Sequence, residues 1–488
     1  MILSRRSFLT ASAALGGMSI APATWAVSQD GPTEIAIGTR VIEVKGKAAK
    51  VFGLMQPNGT HGLVMNAGDR FRVRLTNAVG EPSLIHWHGM TPPSAQDGVP
   101  GVSQPLLPPG ESYEYDFTVA LPGTNWMHSH QLLQEQSMMA APLIVRDPKE
   151  AALDEQEVVI LLHDFTFRAP EEILSELSKG MSHDHGQMDH DMAGMDMSGM
   201  DMGDMDMGGM DMGGMDAGSM DLNDVSYDAF LANDRTLDDP EVVRVERGQR
   251  VRLRIINGGS ASNFLLDLGP LAGSLTDVDG RPIVPVMGSR FPLAMAQRAD
   301  VRLTLPAEEG AWPILFQREG DTALTGIVLA TKTGAVAKAA DQAHHPIGAI
   351  DREVPMVCQA AEPLPERPVD RKLMIDLTGS MMTYRWGIED AGAPSQHPHF
   401  PVKQGERVEM TLTNRSGMSH PMHLHGHHFQ IVAINGTRVH GAVRDTELVP
   451  VGGSVTLAFD AGNPGQWMFH CHNLYHMLSG MMTQVRYL

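Results

Sequence analysis

Three stretches of the chain alternate apolar and polar residues in one shared pattern. Gly68-Asp-Arg-Phe-Arg-Val-Arg-Leu-Thr-Asn77, Gly248-Gln-Arg-Val-Arg-Leu-Arg-Ile-Ile-Asn257 and Gly405-Glu-Arg-Val-Glu-Met-Thr-Leu-Thr-Asn414 each read as a turn glycine, a strand and a closing asparagine. One strand recurring at spacings of 180 and 157 residues predicts three copies of one β-domain. Dense Val, Thr, Ile and Gly with few helix-period runs make the fold all-β, three consecutive β-sandwiches. Short helices are predicted at Glu171–Ser178 and after His472. Junctions near Asp147-Pro148 and Ala343–Pro346 divide the chain into domains at 30–148, 149–345 and 346–488.

The repeat continues past the asparagine. Nine residues on, the first copy has His86-Trp87-His88-Gly89 and the third has His423-Leu424-His425-Gly426. The middle copy has Leu266-Asp267-Leu268-Gly269. A structural requirement would treat all three alike, so the outer histidines are chemical. Further on, Pro122-Gly123 leads to His128-Ser129-His130, and Pro464-Gly465 leads to His470-Cys471-His472. The middle copy reaches Trp312-Pro313-Ile314-Leu315-Phe316 without a histidine. Two sites in each outer copy and none in the middle imply an interface between domains one and three.

The chain of 488 residues is long enough for three such cores. Its net charge of −21 argues against nucleic-acid partners, whose phosphates it would repel. Arg5-Arg6-Ser7-Phe8-Leu9, a short apolar stretch and small residues up to Ala26 resemble the signal of bacterial twin-arginine (Tat) export machinery. With residues 1–26 removed, a monomeric periplasmic protein without a membrane span is expected. Of the two cysteines, Cys358 reads as a small buried residue and Cys471 as a ligand.

Histidines two apart on a strand face the same way about 7 Å apart, so each pair can serve neighbouring metal ions. Eight imidazoles without carboxylate or thiolate suit copper or another late first-row ion. A second set overlaps it. His420, Cys471, His476 and Met481 offer two imidazoles, a thiolate and a thioether, the donors of a blue-copper site. Alternation along the strand lets the Cys471 thiolate face this site while His470 and His472 face the cluster.

These motifs, in this order, resemble the four copper signatures of the multicopper oxidases, which include laccases, ferroxidases and cuprous oxidases. The resemblance implies cupredoxin-like domains, four copper ions, and one-electron oxidations coupled to reduction of O₂ to water. It places the type 1 copper on His420, Cys471, His476 and Met481, and the type 2 copper on His86 and His423. The type 3 pair falls to His88, His128, His130, His425, His470 and His472. Asp97 matches an acid that bacterial members hold near the cluster. Those members also tend to carry a Glu after the histidine equivalent to His476, where this chain has Met477; Glu135 is a candidate substitute, a surface or structural role being its alternative.

Between Met181 and Met220 lie 13 Met, 9 Asp and 3 His with no Lys or Arg. The methionines recur every five residues, which matches neither helix nor strand, so a disordered insertion in domain two is expected. Thioethers favour Cu(I), which makes cuprous ion the expected substrate, beside phenols; a tolerated flexible insertion is the alternative. Resemblance to the copper-tolerance oxidases of the bacterial periplasm adds Asp445, in Val443-Arg444-Asp445-Thr446, and Met381 and Met382 as candidate substrate-copper ligands near the type 1 site. A solvated Asp445 and core methionines are the alternative there. The competing functions are a laccase or ferroxidase whose insertion only loads or regulates copper, and a non-catalytic periplasmic copper buffer.

Overall fold

The computed structural model describes residues 31–179, 222–353, 358–393 and 399–488. The expected export signal (residues 1–26) and the Met-rich segment (residues 181–220) fall outside them. Among the described residues, strands dominate and form six sheets. The sheets pair face to face around three cores, with strands drawn from 33–146, 156–330 and 371–487. The first core holds Phe71 and Trp87, the second Ile255 and Phe316, and the third Met410 and Phe469. The predicted helices appear at Pro170–Ser178 and Leu474–Leu478.

The three repeated strands, Arg70–Asn77, Arg250–Asn257 and Arg407–Asn414, occupy equivalent central places. Each pairs parallel with the first strand of its module on one side and antiparallel with a later strand on the other. The closing asparagine has a shared structural reason. Asn77, Asn257 and Asn414 are buried, and each side-chain amide donates to two backbone carbonyls. Each amide oxygen also accepts the N–H two residues later. Three bonds satisfy a buried amide and fix the loop that feeds the following strand. In the outer modules that strand carries His-x-His; in the middle one it carries Leu266 and Leu268, both buried in the second core.

Outer modules one and three meet directly, and the second braces the first. Gly465 abuts Ser94 of module one so closely that a Cβ would come within 2.3 Å of the Ser94 Cβ. The equivalent Gly123 abuts Gly280 of module two, where a Cβ would meet the Gly280 carbonyl oxygen at 2.6 Å. Both glycines open strands that carry functional histidines, so close backbone approach sets where those strands lie. Beside Gly123, Thr124 donates to Asp300 at 2.6 Å, while Arg252 and Arg254 reach the other Asp300 oxygen at 2.9 and 3.1 Å. This charged knot is nearly dry, and its stability depends on every charge keeping its partner.

Asp300→Ala leaves two buried guanidinium groups short of a carboxylate. It is expected to cost about 3–5 kcal/mol, measured by denaturant unfolding; a loss under about 1 kcal/mol would mean that the knot does not hold the first two modules together.

Candidate metal centre

All eight paired histidines converge between modules one and three. Ring centroids lie 3.8 Å apart for His86 and His425, 3.8 Å for His88 and His423, 5.0 Å for His128 and His472, and 5.1 Å for His130 and His470. In each of these four contacts a module-one ring meets a module-three ring. The rings are buried except His130, which is half-buried.

One nitrogen of most rings is held by the protein. His86 Nδ1 donates to the Asp97 carbonyl at 2.9 Å and His425 Nδ1 to Asp97 Oδ2 at 2.8 Å. His423 Nδ1 donates to the Asp445 carbonyl at 2.9 Å and His470 Nδ1 to the Cys471 carbonyl at 2.9 Å. His88 differs, donating from Nε2 to Asp445 Oδ1 at 3.0 Å. Glu135 lies between two rings, 2.7 Å from His128 Nδ1 and 3.8 Å from His472 Nδ1. These contacts fix the proton on the outer nitrogen and turn the lone pair inward.

The inner nitrogens are the test of fit for a metal. Nε2 of His86, His128, His423 and His472, and Nδ1 of His88, are buried without a hydrogen-bond partner among the described residues. Nε2 of His470 faces Nε2 of His425 at 3.0 Å and of His130 at 3.4 Å. Lone pairs aimed at one another in a dry interior are unfavourable unless cations lie between them. Burial also holds His88, His128, His425, His470 and His472 well below the usual imidazole range and His130 down to about 3. These six rings are therefore neutral at pH 7, the form that binds metal. The donor set fits copper.

The second set gathers on the far side of the strand Gln466–Cys471. Cys471 Sγ lies 3.7 Å from His420 Nδ1 and 3.8 Å from His476 Nδ1, and those nitrogens are 3.2 Å apart. Met481 is fully buried in the same core, and its carbonyl accepts the Cys471 N–H at 3.0 Å. Burial pushes the Cys471 thiol up, so only a bound cation can keep it ionised at neutral pH. Outer partners again hold the rings: Ser416 Oγ is 2.6 Å from His420 Nε2, and Asp224 Oδ2 is 2.8 Å from His476 Nε2. Asp224 also accepts from Tyr384 and Asn473.

Asp445 requires a correction. It was expected beside the thiolate set but sits against His88 and His423. The reason is register: the strand Thr446–Val449 pairs with His420–Leu424 so that Thr446 faces His423. Burial opposes its charge, yet the Arg298 guanidinium, bound by both nitrogens, holds the carboxyl well below its usual range. Glu135 is buried, which removes the surface half of its alternative and leaves the structural half. Met381 and Met382 occupy the tip of the hairpin between strands Arg371–Ser380 and Arg385–Asp390, Met381 packed on the third core and Met382 exposed. Cys358 is half-buried and unpaired, and burial pushes its thiol up to about 11.

Sequence reasoning missed Asp224, Ser416, Tyr384, Trp386 and Arg298. Asp224 follows a run of aspartates that hides it. Ser416 had a signal, since it is the residue whose N–H reaches the closing Asn414. The two flanks of the Met-rich segment also meet here: Ile173, Leu174 and Leu177 before it, and Val225 and Tyr227 after it, pack on the core that contains Cys471.

Comparison with known proteins agrees with this geometry. Family models described as multicopper oxidase match residues 38–150, 156–335 and 366–488. Multicopper oxidase MmcO of Mycobacterium tuberculosis is 31% identical over 86% of this chain and 80% of its own length. Copper resistance protein A of Escherichia coli is 25% identical over 93% of this chain and 92% of its own. The crystal structure of a multi-copper oxidase from Pseudomonas thermotolerans superposes with a TM-score of 0.67 at 24% identity, covering 93% of this chain and 98% of that one. Three matched modules in order, with their histidines converging as described, establish that this chain belongs to the multicopper oxidase family.

Proposed function

We propose that this multicopper oxidase is a periplasmic cuprous oxidase, exported through the Tat route, that draws electrons from Cu(I), with phenols as secondary donors. The observation that carries the choice of substrate is the position of the flanks of the Met-rich segment. Both pack on the core that holds Cys471, so the chain leaves and re-enters the described fold beside the proposed electron entry at the two ends of a segment with 13 Met and 9 Asp. The relatives named for copper resistance support the same substrate.

In this reading His420, Cys471, His476 and Met481 hold the type 1 copper and His86 and His423 the type 2 copper. His88, His128 and His472 hold one ion of the type 3 pair, and His130, His425 and His470 the other, within domains at 30–148, 149–345 and 346–488. Bound copper supplies one-electron transfer at the thiolate site and four-electron reduction of O₂ at the cluster. The protein's own contribution is geometric and protic. Cys471 links the two sites through its bonds to His470 and His472, and the His470 Nδ1 bond to the Cys471 carbonyl adds a second contact. Asp97 orients His86 and His425 together, and Asp445, anchored by Arg298, does the same for His88 and His423. Glu135, whose carboxyl is pushed well above its usual range by burial and then by Asp164, stores a proton beside His128 and His472. It takes the part that Met477 cannot.

Deleting residues 181–220 is expected to lower Cu(I) turnover far more than turnover of a small phenol, measured as oxygen uptake. Equal loss on both donors would instead favour a laccase or ferroxidase whose segment only loads copper. Glu135→Gln is expected to slow reoxidation of the fully reduced enzyme by O₂ about a hundredfold, the usual worth of a positioned acid, while anaerobic reduction of the blue site keeps its rate. Reoxidation at the normal rate would remove Glu135 from proton delivery.

A further inference from the structure

The thiolate site is closed to direct contact. His420, His476 and Asp224 are fully buried, and Tyr384 and Trp386 against them are only 3% and 4% exposed. A donor in solvent therefore reaches neither imidazole edge, and its electron must cross whatever lies between.

What lies there is an indole. The Trp386 ring is 4.0 Å from the His476 ring at an interplanar angle of 30°, and 5.3 Å from His420 at 71°. One side chain thus touches both imidazoles. The backbone is built to admit it: Gly379, the register partner of Trp386 across the hairpin, has φ +137°, and a Cβ there would come within 2.4 Å of Trp386 Cε3. Tyr384 meets the indole edge-on at 5.9 Å and donates to Asp224 at 2.7 Å, which packs the indole from a second side. The indole nitrogen is buried with no partner among the described residues, so a hydrogen bond is not what selects tryptophan here. Five and four residues before it, the hairpin tip carries half-buried Met381 and Met382, 64% exposed, with soft thioethers at the surface.

We propose that Trp386 is the bridge through which electrons enter the thiolate site. This rests on reading His420, Cys471 and His476 as copper ligands. One electron leaves the donor, a cuprous ion becoming cupric, and crosses the indole to His476; the site held by Cys471 is reduced by one. No bond forms or breaks and no proton moves. The indole is not itself oxidised; its π-surface replaces an electronic gap with a van der Waals contact. Trp386 acts through His476 and is in that sense a positioning residue.

The test is anaerobic stopped-flow bleaching of the blue band in the copper-loaded full chain, with Cu(I) and with ferrocyanide as donors. Trp386→Leu is expected to bleach at least about tenfold more slowly with both, with blue absorption, copper hyperfine splitting and potential at their wild-type values. Trp386→Phe, which keeps a ring on His476, is expected to recover most of the rate. Wild-type bleaching in Trp386→Leu overturns the bridge, and so does a slow-down that a shifted potential fully accounts for. If the leucine variant does not load copper, Gly379→Ala, which displaces the ring, decides by the same two criteria. A wild-type protein with no blue band would overturn the ligand reading beneath the proposal.

Discussion

Eight imidazoles with their inner nitrogens turned toward one another cannot be left alone in a dry interior. Each inner nitrogen has given up water, and the protein offers it no donor; His425 and His470 even present nitrogens to each other at 3.0 Å. Only cations between them relieve that cost. Much else in the fold serves to make the arrangement possible. The closing asparagines set the loops that feed the His-x-His strands, the glycines at 123 and 465 bring modules into backbone contact, and Asp97, Asp445 and Glu135 turn the rings inward from behind.

The middle module shows what the same scaffold does without chemistry. Where the outer copies carry His-x-His it carries Leu266 and Leu268, which enter its own hydrophobic core. Its role in the two metal-binding sets is structural support. Asp300 grips the strand of His128 through Thr124, Arg298 anchors Asp445, and Asp224 stands beside His476. The second module thus touches both metal-binding sets while lending neither a histidine.

Much of this was legible in the sequence because it repeats. A pattern present three times gives the sandwiches, and a difference between copies gives the histidines, their convergence and the facing outer modules. Alternation around Cys471 was enough to foresee a thiolate turned away from its two neighbours. What could not be read depends on pairing between distant strands. Asp445 follows the register that sets Thr446 opposite His423, and no local pattern carries that information. Asp224 and Glu135 lie in loops whose composition resembles solvated surface, and only the packing of three modules together buries their side chains. The roles of Trp386 and Gly379 likewise needed a hairpin register that pairs them.

The most direct measurement is diffraction from copper-loaded crystals at the copper absorption edge. Three anomalous peaks are expected grouped among the imidazoles of residues 86, 88, 128, 130, 423, 425, 470 and 472, with a separate fourth between Cys471, His420 and His476. Scattered single peaks on individual histidine pairs, or an empty space between the outer modules in active protein, would contradict this arrangement.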